Sequence, residues 1–141
     1  VEEILPMLSS EFGPDGWSVK RVPLDGELVN IHSARLSTFR RSTVCACCGI
    51  AGAFFVKERH RKLGKKQEPF FHLNLYALDK NGKEVMMTSD HIIPRGNGGQ
   101  GLENNRQTMC TRCNRIKGNR LISNEALASE LGFCGSAVSV T

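Results

Sequence analysis

Two cysteine pairs with CxxC spacing, Cys45-Ala-Cys47-Cys48 and Cys110-Thr-Arg-Cys113, limit what this chain can fold into more than any other feature. A CxxC turn lets two thiolates point at one metal, and neither turn supplies enough ligands alone. One tetrahedral site closed by Cys45, Cys48, Cys110 and Cys113 ties together segments 61 intervening residues apart, a staple that a small core would use. The expected metal is a structural Zn2+. Disulfides are the reading for a secreted chain, but residues 1–10 hold two glutamates where a signal peptide has a basic segment. No run approaches 18 apolar residues, so no spanning helix is expected and the expected location is cytoplasmic. Cys47 could replace a neighbour as ligand, but the outer pair of a CxxC turn is better placed, so it is expected to stay unligated. Cys134 follows Phe133 in an apolar stretch and reads as a buried thiol.

The 141 residues make one domain, with 40% hydrophobic and 23% charged side chains, close to the globular average. The reading divides it into an N-terminal extension over 1–34, a zinc-stapled core over 35–122, and a C-terminal helix and tail over 123–141. The net charge of +5 is unevenly spread: residues 35–66 hold nine basic side chains against one acidic, and 106–120 hold five against none. Separate basic blocks in a protein of sequence pI about 9.0 suit a polyanion, most commonly a phosphate backbone.

The expected fold is α+β. Residues 33–42 read as a short helix with Leu36 and Phe39 on one face. Residues 53–56, 70–78 and 84–93 read as strands, the last two joined at Asp79-Lys80-Asn81-Gly82 by a turn in which Asn-Gly supplies two positive φ angles. Residues 106–109 are expected to be extended, and 111–121 and 124–131 helical, the latter capped by Ser123. The first 30 residues, punctuated by Pro6, Gly13, Pro14, Gly16 and Pro23, suggest a short helix, turns and a strand, packed as an N-terminal extension. The glycine loop 96–101 is no P-loop, because no Lys-Ser/Thr pair follows.

One window concentrates chemistry: Ser89-Asp90-His91-Ile92-Ile93-Pro94-Arg95, the glycine loop, Asn104-Asn105, then Cys110-Thr111-Arg112-Cys113-Asn114-Arg115-Ile116-Lys117-Gly118-Asn119. It resembles the HNH endonuclease family in its zinc-bearing form, most specifically over 88–119. The resemblance implies a ββα-metal core with catalytic His91, Asp90, Asn105 and Asn114, in which Asn105 fixes the loop that holds the base. It also implies cleavage leaving 5′-phosphate and 3′-hydroxyl ends.

The residues fit that chemistry on their own terms. Asp90 and Asn114 offer hard oxygen ligands for a catalytic Mg2+ or Mn2+. An imidazole with an ordinary pKa of about 6.5 is largely neutral near pH 7, so His91 can take a proton from water. Adjacent strand residues point to opposite faces, so Asp90 and His91 can share a site only where the strand ends, and Pro94 places that end nearby. Lys57, Arg59, Arg61, Lys62, Arg95, Arg112, Arg115 and Lys117 are the expected contacts to nucleic acid. Lys117, three residues from Asn114, would bring its cation near the scissile phosphate. His32, His60 and His72 lack ligand spacing. The expected function is a metal-dependent DNA endonuclease, with DNA as partner, no membrane, and a homodimer left open. The rivals are a non-catalytic zinc-stapled binding module and a zinc-ribbon regulator, which leaves Asp90, His91 and Asn114 without a role.

Overall fold

The computed structural model describes residues 1–8, 20–59, 68–101 and 103–133. Arg61, Lys62, His60 and Cys134 lie outside the described residues. Six strands and three helices are described: β1 (Arg21–Leu24), β2 (Glu27–Asn30), α1 (Ala34–Arg41), β3 (Gly52–Glu58), β4 (Phe71–Leu78), β5 (Glu84–His91), β6 (Arg106–Cys110), α2 (Thr111–Lys117) and α3 (Asn124–Glu130). The α+β architecture read from the sequence is what the chain adopts.

β4 organises the sheet. Its residues face β3 in an antiparallel register from Gly52↔Ala77 to Glu58↔His72. It also pairs with β2 in parallel through Val29↔Phe71 and Asn30↔His72, and with β5 antiparallel through Tyr76↔Met86 to Leu78↔Glu84. β5 then changes partner. Beyond Met86 it runs antiparallel to β6, from Met87↔Cys110 to His91↔Arg106. One core gathers Val29, Leu36, Phe39, Leu73, Leu75, Val85, Met87, Met109 and Leu127, all nearly inaccessible to water, together with the buried cysteines.

Three local expectations need correction. The first 30 residues supply two strands, because Asp25 and Gly26 (φ 50° and 78°) make a two-residue turn that pairs Leu24 with Glu27. At Asn81-Gly82 only Gly82 has positive φ (75°), and five residues lie between the last pair, Leu78 and Glu84. Its geometry is fixed by Asp79, whose Oδ1 accepts from Asn81 N and Lys83 N, both at 2.9 Å. α2 stops at Lys117 instead of running to about 121, because Gly118 adopts φ 55° and its N–H closes on Asn114 O at 3.0 Å. α1 and α3 begin where their caps dictate: Ser33 Oγ accepts from Leu36 N and Ser123 Oγ from Ala126 N, each at 3.1 Å.

Candidate active site and metal centre

The first cysteine turn is a tight backbone loop. Cys45 N donates to Ile50 O at 2.9 Å and Gly49 N to Cys45 O at 3.0 Å, with Gly49 at φ 77° where a side chain would be strained. Ala46 N donates to Thr108 O at 2.9 Å and so seats the turn against β6. The second turn is the β6–α2 junction, where Cys110 caps α2 and its Sγ accepts from Cys113 N at 3.5 Å.

The sulfurs of Cys45, Cys48, Cys110 and Cys113 lie within 4.8 Å of one another, and no disulfide joins them. Metal–sulfur bonds of about 2.3 Å in a tetrahedron give sulfur–sulfur edges of about 3.8 Å, and Cys48 and Cys110 stand 3.8 Å apart. The donor set therefore fits a four-coordinate structural metal. Hydrogen bonds among the four thiols draw Cys45 and Cys110 down and push Cys48 and Cys113 up, as crowded sulfurs that share protons do. Cys47 is buried beside this cluster without belonging to it, and burial pushes its thiol up.

The second half of β5 lies between two helices. Alternation sends Thr88 and Asp90 toward α2 and Ser89 toward α1. On the α1 side, Ser89 Oγ meets Thr38 Oγ1 at 2.9 Å. On the α2 side, Asn114 Nδ2 donates to Thr88 Oγ1 at 3.0 Å, while the Thr88 hydroxyl donates to Met109 O at 2.7 Å. With its hydrogen committed, Thr88 Oγ1 can only accept. This turns the Asn114 nitrogen toward the strand and leaves its oxygen as the outward ligand atom.

Asp90 is held from two sides. Lys117 Nζ reaches its Oδ2 at 2.6 Å, and Gln107, directly opposite on β6, donates Nε2 to the same oxygen at 3.0 Å. Oδ1 is then the carboxylate oxygen left to act as a ligand. Lys117 also donates to the carbonyls of His91 and Ile92.

His91 ends the strand, and that is how two adjacent residues reach one place. Asp90, His91, Arg95 and Asn114 line a cleft of about 250 Å3. Burial lowers the His91 pKa below its ordinary value, and the charges of Arg106 and Arg95 lower it further against the opposing pull of Asp90. The backbone beyond His91 is fixed by Asn105. Its Oδ1 accepts from Ile93 N at 2.8 Å, and its Nδ2 donates to Ile93 O at 3.0 Å and to Gln100 O at 2.8 Å. Its own carbonyl accepts from Ile92 N at 3.0 Å. Gly99 is required here by close approach, since a Cβ would fall 1.7 Å from Ile93 O.

The expected nucleic-acid contacts divide. Arg95 and Arg115 are exposed. Lys57 instead pairs with Glu27 at 2.9 Å on the β1–β2 hairpin, Arg59 lies 4.1 Å over the Phe71 ring, and Arg112 reaches Asp79 at 2.8 Å. Lys117, expected to face a phosphate, is 1% exposed, because its charge is spent on Asp90. Gln107 and Thr88 escaped the sequence reading. Only the β5–β6 register, which places Gln107 opposite Asp90 and Thr88 opposite Met109, would have found them.

Residues 79–125 match the family model described as HNH endonuclease. That span, a third of the chain, contains the second cysteine pair and the whole cleft, and is similar to the family whose resemblance the residues carry. No curated protein and no solved structure matches the chain. Among the described residues, no helix is long and apolar enough to cross a membrane.

Proposed function

We propose that this protein is a metal-dependent endonuclease that hydrolyses DNA phosphodiester bonds. The observation that carries the reading is the convergence of Asp90, His91, Asn114 and Arg95 on one cleft, inside the segment that matches the nuclease family. His91, kept neutral by burial and by two arginines, accepts a proton from the attacking water as its oxygen bonds to phosphorus. The P–O bond to the 3′ oxygen then breaks and that oxygen takes a proton from solvent water, leaving 5′-phosphate and 3′-hydroxyl ends. Asp90 Oδ1 and the Asn114 amide oxygen would hold Mg2+ or Mn2+, which when bound supplies positive charge to the phosphate and the leaving oxygen. Asn105 positions His91 by pinning the two residues that follow it. Zn2+ is the metal that suits the four sulfurs, and its part is structural.

A second reading, a binding module without catalysis, draws on one observation: the carboxylate of Asp90 is already neutralised by buried Lys117. Nicking of supercoiled plasmid with Mg2+ or Mn2+ decides between them. The nuclease reading expects nicking that falls about 10²- to 10⁴-fold in His91→Ala, the contribution typical of a general base. Binding without nicking, or a His91→Ala that cuts at the wild-type rate, would overturn it.

A further inference from the structure

On the α1 side of the β5–β6 pair lies a second cavity, of about 330 Å3, between α1, the first cysteine turn and β6. One wall is uncharged, made by Val44, Ala46 and Cys47, and the other carries Arg41 and Arg106. Arg106 links it to the cleft, because it stands directly across from His91 on the neighbouring strand. Side chains so paired share a face, with Cα atoms about 5 Å apart.

Arg106 is an unusual cation for a protein to place there. Burial lowers its pKa, and the charges that act on it are Arg95 and Arg41, both cationic. Its Nε is buried without a hydrogen-bond partner among the described residues, and its Nη1 contact to Ser89 is long, at 3.4 Å. Arg41 is exposed, with Nη2 3.4 Å from the Arg106 carbonyl. Holding like charges together around a half-buried guanidinium is unfavourable until an anion arrives. The uncharged wall facing it suits the sugar and base attached to that anion.

We propose that this cavity is a subsite for a nucleotide adjoining the scissile phosphate, with Arg106 and Arg41 on its phosphate and Val44, Ala46 and Cys47 against its sugar and base. The proposal rests on the nuclease reading for the word scissile, but the binding it describes does not need cleavage. The subsite gives the enzyme a grip on the strand on the α1 face of β5, opposite the face that packs on α2. It also assigns a ligand to two arginines outside the expected set of nucleic-acid contacts.

The test measures binding of a fluorescent DNA duplex by anisotropy, in the His91→Ala background without added divalent ion, across about 50 to 200 mM salt. Arg106→Gln should weaken binding about tenfold, the worth of one charge-assisted hydrogen bond. It should also reduce the log–log salt slope by about 0.9, and Arg106→Lys should restore the slope. Ala46→Leu, which fills the cavity without touching charge, should weaken binding several-fold at unchanged slope. Should Ala46→Leu lose its metal, Arg41→Gln provides the second measure, with a further loss of slope expected. Wild-type affinity in Arg106→Gln would overturn the proposal. So would a normal affinity in a folded Ala46→Leu, since phosphate would then be held without a nucleotide in the cavity. A protein that shows the expected losses yet never nicks plasmid would instead sink the nuclease reading and leave the subsite standing.

Discussion

On the proposed nuclease reading, the neighbours of His91 suit it to act as a base. Burial and two guanidiniums disfavour the imidazolium, so the free protein holds it neutral further into acid than an isolated histidine would be. A base acts in its unprotonated form, so kcat/KM should rise with pH through a limb centred below about 6.5 and be flat at neutrality. Arg95→Gln removes one charge that opposes protonation and should move this limb upward. An NMR titration of the His91 ring, paired with the rate profile, checks both. A limb at or above the ordinary histidine value would contradict the electrostatic account. That Asp90, His91 and Asn114 would meet at one cleft was legible because each falls at a fixed interval from a cysteine pair or a strand end. The burial of Lys117 was not, since a lysine three residues after Asn114 reads equally well as a surface cation, and only packing of α2 on β5 decides it.

At the level of elements, the Lys117–Asp90 pair is the bolt between α2 and β5. Both side chains are buried, so removing one leaves the other charged in a poorly polar place, at a cost of about 3–5 kcal/mol. Lys117→Met should lower the urea midpoint accordingly. Mg2+ should then stabilise the variant more than the wild type, because the ion supplies the positive charge that Asp90 has lost. A variant as stable as the wild type would show that the pair compensates nothing. Strands and helices were legible from hydrophobic period and capping residues, but turn chemistry was misplaced. The paired positive φ angles belong to Asp25-Gly26, whereas Asn81-Gly82 yields to the two hydrogen bonds that Asp79 accepts. A dipeptide states what a turn can do, and the residues before it decide which turn forms.

For the whole molecule, the four-sulfur site joins the loop after α1 to the junction of β6 and α2, and α2 supplies one wall of the cleft. Cys48→Ser should therefore lose the bound metal and most of the cooperative unfolding transition, because structural zinc contributes on the order of 10 kcal/mol in small metal-dependent domains. Metal analysis and calorimetry check this, and an unchanged transition in a metal-free protein would refute it. The two cysteine pairs made this staple readable. The parallel pairing of β2 with β4 was not, since it joins residues about 42 positions apart through two contacts that no periodicity announces.

The sequence separation of the staple's halves also sets a timetable. Cys110 follows Cys48 by 62 residues, so at about 5–20 residues per second a ribosome delivers it about 3–12 s later. Through that interval the first thiol pair waits on the nascent chain with half a coordination sphere. Asp90, His91 and Asn114 emerge in the same stretch as the second pair. Metal capture and assembly of the cleft thus fall together, once the second pair has been made, and a chain truncated before Cys110 completes neither.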